Sequence, residues 1–164
     1  MTTPVEEHTT TRLDRIVPWA LAAVAVLFLI VSLLGPTWVY SPANPAIPLP
    51  EMHSNFSDLQ TATAESTSGV QREYFAWLGW ALVVLTAISA VAATLIRTRV
   101  TALIELAVAV FTLVITVFAV KGPLSWSAFF SNVPNIRVGG YLMIIGLLLV
   151  ITHAALALRP RAAR

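Results

Sequence analysis

Four long apolar runs are the feature of this sequence that most constrains its fold. They cover residues 16–34, 75–96, 101–120 and 139–158, and each is close to the roughly 20 residues that a helix needs to cross a bilayer. Only a helix satisfies every backbone N–H and C=O group of such a segment inside lipid. The sequence therefore predicts an all-α integral membrane protein, with a single membrane domain of four transmembrane helices.

Composition agrees with a membrane protein and excludes several other classes. Hydrophobic residues make up 57% of the 164 residues and charged residues only 11%, too few to cover a soluble domain. Cysteine is absent, which excludes disulfides, thiolate metal sites and iron–sulfur ligation. The net charge of +2 is small for a nucleic-acid-binding protein, and most basic residues flank the apolar runs. We therefore expect membrane lipid, and no nucleic acid, among the partners.

Basic residues beside the runs predict the orientation. Three of them, Arg72, Lys121 and Arg137, lie on one side of the membrane, and seven lie on the other. The seven are Arg12, Arg15, Arg97, Arg99, Arg159, Arg161 and Arg164. The positive-inside rule then places both termini in the cytoplasm. The prediction is a four-helix antiparallel bundle with cytoplasmic segments 1–15, 97–100 and 159–164 and extracytoplasmic loops 35–74 and 121–138.

The first run and the choice of basic residues indicate where the protein resides. Arg12 and Arg15 precede the run, as in a signal peptide, but GPTWVY follows it where a small-residue cleavage site would lie. We therefore expect an uncleaved anchor. Lys121 is the single lysine, and alanine and valine are abundant, a bias typical of GC-rich bacterial genomes such as those of actinobacteria. The predicted location is the inner (plasma) membrane of a bacterium.

The first outer loop is longer than a connection between packed helices needs. Its SPANPAIPLP stretch predicts an extended path. Ser57 and Gln60 have capping-box spacing for a short helix, which Gly69 would end. A loop of this length either contacts a partner or serves as a flexible linker. Of the two, we expect it to contact a protein partner on the periplasmic side, with His53 and Phe56 as candidate contact residues.

The second outer loop contains an aromatic cluster in the stretch SWSAFF. Its side chains could bury an apolar edge at the membrane surface, or they could form a knob that binds a partner. Both interpretations stay open. Trp126, Phe129 and Phe130 are therefore further candidates for partner contact.

Small and polar residues indicate which helix faces meet, because large apolar residues pack equally well against lipid. In the third run they recur every three or four residues and so share one face. Comparable stripes occur in the second and fourth runs. The predicted interior residues are Thr86, Ser89, Ala90, Ala93 and Thr94 in the second run, Ala102, Glu105, Ala109, Thr112, Thr116 and Ala119 in the third, and Gly139, Gly146, His153 and Ala157 in the fourth.

Glu105 and His153 are ionisable residues within the runs, where charge is costly and often functional. Both lie on predicted interior faces, and both are roughly 6–8 Å from the cytoplasmic ends of their helices. They could therefore meet inside the bundle. Arginine side chains that snorkel from the helix ends offer Glu105 other partners. We expect structural intramembrane contacts of Glu105 with His153, or with Arg97, Arg99 or Arg159.

The sequence carries no recognisable catalytic machinery. It has no Ser–His–Asp constellation placed outside the membrane, no glycine-rich phosphate loop and no cluster of metal ligands, since His53 stands among scattered carboxylates. A haem held by the spans needs axial ligands, and His153 is the single histidine there. We therefore expect no catalytic residue, no cofactor, no metal and no enzymatic activity.

The remaining class is a non-catalytic accessory or structural subunit of a larger bacterial membrane complex, in contact with other integral membrane subunits. A respiratory supercomplex of the cytochrome bcc–aa3 type is the host that we expect. The alternatives are a small transporter or proton- or quinone-linked membrane protein using Glu105 and His153, and a cell-envelope assembly factor. Four spans with a long first outer loop resemble the claudin-like tetraspan arrangement in topology, although the disulfide cysteines and signature tryptophan motif of that family are absent.

Overall fold

The computed structural model of the chain describes residues 5–43 and 50–159, with side chains from residue 16 onward. Four helices are long and apolar enough to cross a membrane, as the sequence predicts. Their spans are Ile16–Leu34, Gly69–Ile96, Arg99–Lys121 and Val138–Leu158. The predicted tail beyond Arg159 and most of the proline-rich stretch of the first loop lie outside the described residues.

Three of the spans belong to single helices, α1 (Val5–Leu34), α5 (Arg99–Lys121) and α7 (Val138–Leu158). Most of the predicted N-terminal tail thus continues α1 as helix. The second span joins α3 (Gly69–Glu73), a π-helical turn (Tyr74–Leu78) and α4 (Gly79–Ile96).

The second span begins earlier than the predicted residue 75 because Ser68 caps it. The Ser68 side chain accepts a hydrogen bond from the backbone N–H of Gln71, which satisfies a free donor of the first turn. Gly69 therefore starts a helix, and the prediction that it ends one is wrong.

The four spans pack in a ring. Helix α1 packs against α4 and α7, and α5 packs against the same two helices. All the predicted interior residues of the second and third runs are buried, as are Gly139, Gly146 and His153 in α7, whereas Ala157 is exposed at the end of α7. A Cβ atom on Gly146 would lie 2.9 Å from Leu29 Cδ2 and 3.2 Å from the Ala25 carbonyl oxygen. Glycine at this position therefore lets α7 approach α1 closely.

A tight turn joins α4 to α5. Arg97 ends α4 in the left-handed conformation, with φ 55°, and its backbone N–H donates to the Ala93 carbonyl oxygen. Thr98 starts α5, because its side chain accepts from the Thr101 N–H in a capping box. The two caps together hold the ends of α4 and α5 side by side.

The loops at the opposite end of the bundle form an ordered layer, here called the loop cap. It consists of β1 (Val39–Ser41), β2 (Met52–Ser54), α2 (Phe56–Ala62), α6 (Trp126–Asn132) and a 3-10 turn (Val133–Asn135). Strands β1 and β2 pair antiparallel, with Tyr40 opposite His53. These two short strands were not predicted from the sequence.

Helix α2 matches the short helix that the sequence predicts, but its capping box uses different residues. The Asn55 side chain accepts from the Asp58 N–H, and the Asp58 carboxylate accepts from the Asn55 N–H, both at 2.9 Å. The predicted box of Ser57 and Gln60 is therefore wrong by two positions, and α2 starts correspondingly earlier.

Trp38 attaches the loop cap to the spans. Its ring is 1% exposed, and its Nε1–H donates to the Ser32 carbonyl oxygen at 2.6 Å. The ring packs edge-on against Phe56 and Phe75, with centroid distances of 5.3 and 5.9 Å. A Cβ atom on Gly139 would lie 2.3 Å from Trp38 Cδ1, so glycine is required where α7 passes the ring. Trp38 is thus a core residue that joins the loop cap to α1 and α7.

Candidate functional site

Polar side chains on the interior face of α5 make hydrogen bonds at three levels of the bundle. Thr116 contacts the hydroxyl of Tyr74 at 3.0 Å, and Thr112 contacts the hydroxyl of Thr86 at 3.1 Å. At the third level the Glu105 carboxyl group contacts His153 at 2.8 Å. All of these residues are buried. The small and polar residues of α5 therefore link this helix to its neighbours by hydrogen bonds at three depths of the bundle.

The Glu105–His153 pair combines groups from three helices. Glu105 Oε1 lies 2.8 Å from His153 Nδ1, and the two residues are 0% and 3% exposed. On the other side of the imidazole ring, Nε2 lies 3.4 Å from Thr94 Oγ1 of α4. The interior stripes of α4, α5 and α7 bring the three side chains together, as their helical spacing requires.

The hydrogen bonds indicate where the protons of this cluster lie. The Thr94 hydroxyl donates its proton to the Ala90 carbonyl oxygen at 2.7 Å, so its oxygen can only accept from His153. On this assignment the proton of the imidazole lies on Nε2. A hydrogen bond across the 2.8 Å contact between Nδ1 and Glu105 Oε1 then needs one further proton, on either of the two atoms. With that proton the pair is electrically neutral, which suits a site closed to water.

One atom of the cluster remains without a hydrogen-bond partner. Among the described residues, Glu105 Oε2 is the one buried side-chain nitrogen or oxygen atom that makes no hydrogen bond. A buried acceptor of this kind is uncommon in proteins and is often found where a proton, water or ligand is handled. The pair is thus chemically able to hold a proton inside the bundle.

The three predicted arginine partners of Glu105 do not contact it. Arg97, Arg99 and Arg159 are exposed at the end of the bundle opposite the loop cap, here called the basic end. Arg97 Nε donates instead to the Thr94 carbonyl oxygen at 3.1 Å. Within residues 16–43 and 50–159, the side-chain contact of Glu105 is with His153, because the stripe of Glu105 faces the interior while the three arginines are exposed.

The predicted partner-contact residues divide into an exposed and a buried set. Trp126 and Phe130 on α6 are 46% and 65% exposed, and His53 on β2 is exposed with its ring 5.0 Å from that of Tyr40. Phe129 is half-buried. Phe56 does not belong to this surface. It is 2% exposed and packs against the rings of Trp38, Tyr74, Phe75 and Trp80.

A groove beside α6 was not foreseen from the sequence. It has a volume of about 290 Å³, and its apolar walls include Val39, Val120, Leu124, Phe129 and Ile136. These residues come from β1, the end of α5, the turn that follows it, α6 and the segment before α7, so no single stretch of sequence shows the groove.

Two cations flank the groove. The Arg137 guanidinium lies 4.8 Å from the Tyr40 ring centre, and Lys121 Nζ lies 5.3 Å from that of Trp126. Elsewhere in the described part of the chain, no three His, Asp or Glu side chains gather as a metal site would require. The groove and the α6 aromatics are thus the main outward-facing feature of the loop cap.

Comparison with known protein families, with curated proteins and with solved structures finds no match to this chain. The functional conclusion therefore rests on two features, the buried Glu105–His153 pair and the aromatic surface of the loop cap.

Proposed function

We propose that the chain is a non-catalytic accessory subunit of a larger complex in a bacterial plasma membrane. Its basic end would face the cytoplasm, and its loop cap the outside. The seven-to-three distribution of basic residues supports this orientation. In it the bundle is antiparallel, and both termini are cytoplasmic.

The observation that carries the proposal is the close packing that attaches an exposed aromatic surface to the bundle. Trp38 attaches the loop cap to α1 through its hydrogen bond to Ser32 and to α7 through its close contact with Gly139. The cap then presents Trp126 and Phe130, 46% and 65% exposed, next to the apolar groove. Aromatic side chains are enriched at protein interfaces, and a surface held in place loses little entropy when a partner binds. This surface suits a protein partner at the outer membrane boundary.

The interior of the bundle supports a structural role. The buried hydroxyls of Tyr74, Thr86 and Thr112 bond with other side chains of the same bundle. Such pairing stabilises helix association in a membrane. As host we propose the cytochrome bcc–aa3-type respiratory supercomplex. Its support is the composition, in which arginine is used almost exclusively over lysine and alanine and valine are abundant, as is typical of GC-rich bacteria.

Alanine at the exposed aromatics should weaken this association. In pull-downs of tagged chain from mild detergent, we expect Trp126→Ala with Phe130→Ala to recover about tenfold less partner, as for an interface hot spot. Phe111→Ala is the matched control, since Phe111 is 56% exposed on α5, away from the cap. Mass spectrometry should identify oxidase or cytochrome subunits. Recovery of the chain alone as a homo-oligomer would contradict the proposal, whereas cell-wall enzymes would indicate an envelope assembly factor.

The Glu105–His153 pair favours a second candidate, a small transporter or a proton- or quinone-linked membrane protein. A titratable pair inside a bundle is a common element of proton transfer, and the orphan Oε2 atom of Glu105 adds to this interpretation. An accessory subunit remains our first choice because the pair is closed off from both ends of the bundle, at 0% and 3% exposure.

The variant Glu105→Gln distinguishes an accessory subunit from a transporter or a proton- or quinone-linked protein. The amide keeps the size of the carboxyl group and can donate to Nδ1, so we expect an active complex with a modest loss of stability, about 1 kcal/mol. Thr112→Val is the control, because it removes another buried polar group of the same stripe and leaves the pair intact. Turnover lost in Glu105→Gln but kept in Thr112→Val, with assembly unchanged, would establish the second candidate. Activity assays and thermal unfolding provide the two measurements.

A further inference from the structure

A second groove lies within the membrane-spanning part of the molecule, between α1 and α4. It has a volume of about 380 Å³, within the range of ligand pockets. On α1 it is lined by one helical stripe, and on α4 by two residues near the basic end. The lining residues are Trp19, Ala22, Ala23, Val26, Leu27 and Ile30 of α1, with Val91 and Thr94 of α4.

Small residues create this α1–α4 groove. Ala22 and Ala23 leave space on the α1 face where larger residues would fill it. On its other side α1 packs more extensively against α7 than against α4, with Gly146 allowing the close approach. Helix α1 is thus held towards α7, and the gap beside α4 stays open to the surrounding lipid.

The dimensions of the α1–α4 groove match one lipid acyl chain. From Trp19 to Ile30 the rise along α1 is about 16 Å, close to the roughly 15 Å thickness of one hydrocarbon leaflet. Trp19 is 44% exposed, and an exposed tryptophan at the end of a span is typical of the interface level. Thr94, the polar lining residue, donates its hydroxyl to the Ala90 carbonyl oxygen, so the groove wall is effectively apolar.

The mouth of the α1–α4 groove lies at the basic end, where it is positively charged. Arg97 follows Thr94 by one helical turn, and its Nε–H donates to the Thr94 carbonyl oxygen at 3.1 Å. The bond holds the exposed guanidinium beside the groove. A headgroup with a negative charge is complementary to this guanidinium.

We propose that the α1–α4 groove is a binding site for an anionic phospholipid, whose acyl chain lies along α1 and whose phosphate pairs with Arg97. The site requires a membrane location only and is independent of the host complex. Binding of one defined lipid at this position is distinct from the general solvation of the bundle by the bilayer.

Native mass spectrometry of the purified full-length chain tests the proposal with two probes, phosphatidylglycerol and phosphatidylcholine with identical acyl chains. We expect one saturable adduct, with phosphatidylglycerol favoured about fivefold, the contribution of one arginine near the membrane surface. Arg97→Gln should remove the preference and retain chain binding, whereas Arg97→Lys should keep the preference. Ala23→Phe should fill the groove and abolish both adducts. Ala107→Phe, at an exposed alanine of α5 outside the groove, should change neither.

Equal binding of the two lipids by the unmodified chain would overturn the proposal, because the site would then recognise any acyl chain. Unchanged adducts in Ala23→Phe would place the lipid elsewhere. Loss of a protein partner, rather than of lipid, in Ala23→Phe would identify the groove as a helix-docking surface. If Ala23→Phe does not fold, the headgroup preference of Arg97→Gln against Arg97→Lys decides the question alone.

Discussion

Replacing Trp38 with alanine is expected to lower the free energy of unfolding by about 3–5 kcal/mol, the usual cost of truncating a buried tryptophan. The indole is 1% exposed and packs against Phe56 and Phe75. Its truncation also removes the 2.6 Å hydrogen bond to the Ser32 carbonyl oxygen. Because these contacts join the loop cap to α1 and to the second span, the cap should open before the bundle unfolds.

Two measurements check this expectation. Thermal unfolding in detergent should show a much lower melting temperature for Trp38→Ala than for Trp77→Ala, since Trp77 is 57% exposed. Limited proteolysis should cut the segment between α2 and α3 faster in Trp38→Ala than in the unmodified chain. Equal melting temperatures for the two variants would show that the cap is not held by Trp38.

Alanine at either member of the Glu105–His153 pair is expected to destabilise the bundle by about 3 kcal/mol, because the remaining partner stays buried without its hydrogen bond. The double variant Glu105→Ala with His153→Ala should lose clearly less than the sum of the two single losses. Neither group is then left unpaired, and the interaction energy of such buried contacts is usually about 1–3 kcal/mol.

A double-mutant cycle measured by denaturation in detergent gives this interaction energy. The exposed pair Arg72 and Glu73, 3.4 Å apart with side chains 47% and 49% exposed, is the matched control. Its coupling should stay below about 1 kcal/mol, as for surface ion pairs. Additive losses at Glu105 and His153 would mean that their contact contributes no stability.

The spans and the helix faces that line the interior could be predicted from the sequence for a physical reason. In lipid, large apolar side chains carry no information about the interior, so the small and polar residues mark it. The stripe from Ala102 to Ala119 is buried throughout α5, and the burial of Thr86 and Thr94 in α4 follows the same rule. Periodicity of 3.6 residues was sufficient for these elements.

The loop cap could not be predicted in the same way, because its contacts join segments that are far apart in the sequence. Trp38 meets Phe56, Phe75 and Gly139, and no local pattern distinguishes it from the exposed tryptophans at the span ends. The capping box at Asn55 was likewise missed because Ser57 offered a matching spacing two positions later. Two capping motifs of equal spacing occur in this loop, at Asn55 and at Ser57. Burial of Phe56 in the tertiary structure favours the one at Asn55.

For the buried pair, the sequence supplied the location but not the partner. Periodicity and depth placed Glu105 and His153 on inner faces near the same end of the bundle. They also left Arg97, Arg99 and Arg159 within reach of a flexible side chain. The structure decides between these partners, because the three arginines are exposed at the basic end while His153 is buried beside Glu105.

The three hydrogen bonds along α5 have a mechanical consequence. They tie α5 to the π-helical turn through Tyr74, to α4 through Thr86 and to α7 through His153, each at a different depth. Sliding α5 by one helical turn, about 5.4 Å, would separate all three pairs at once. A force applied to the loop cap should therefore be transmitted by the bundle to its basic end as one stiff body, without movement of its helices past each other.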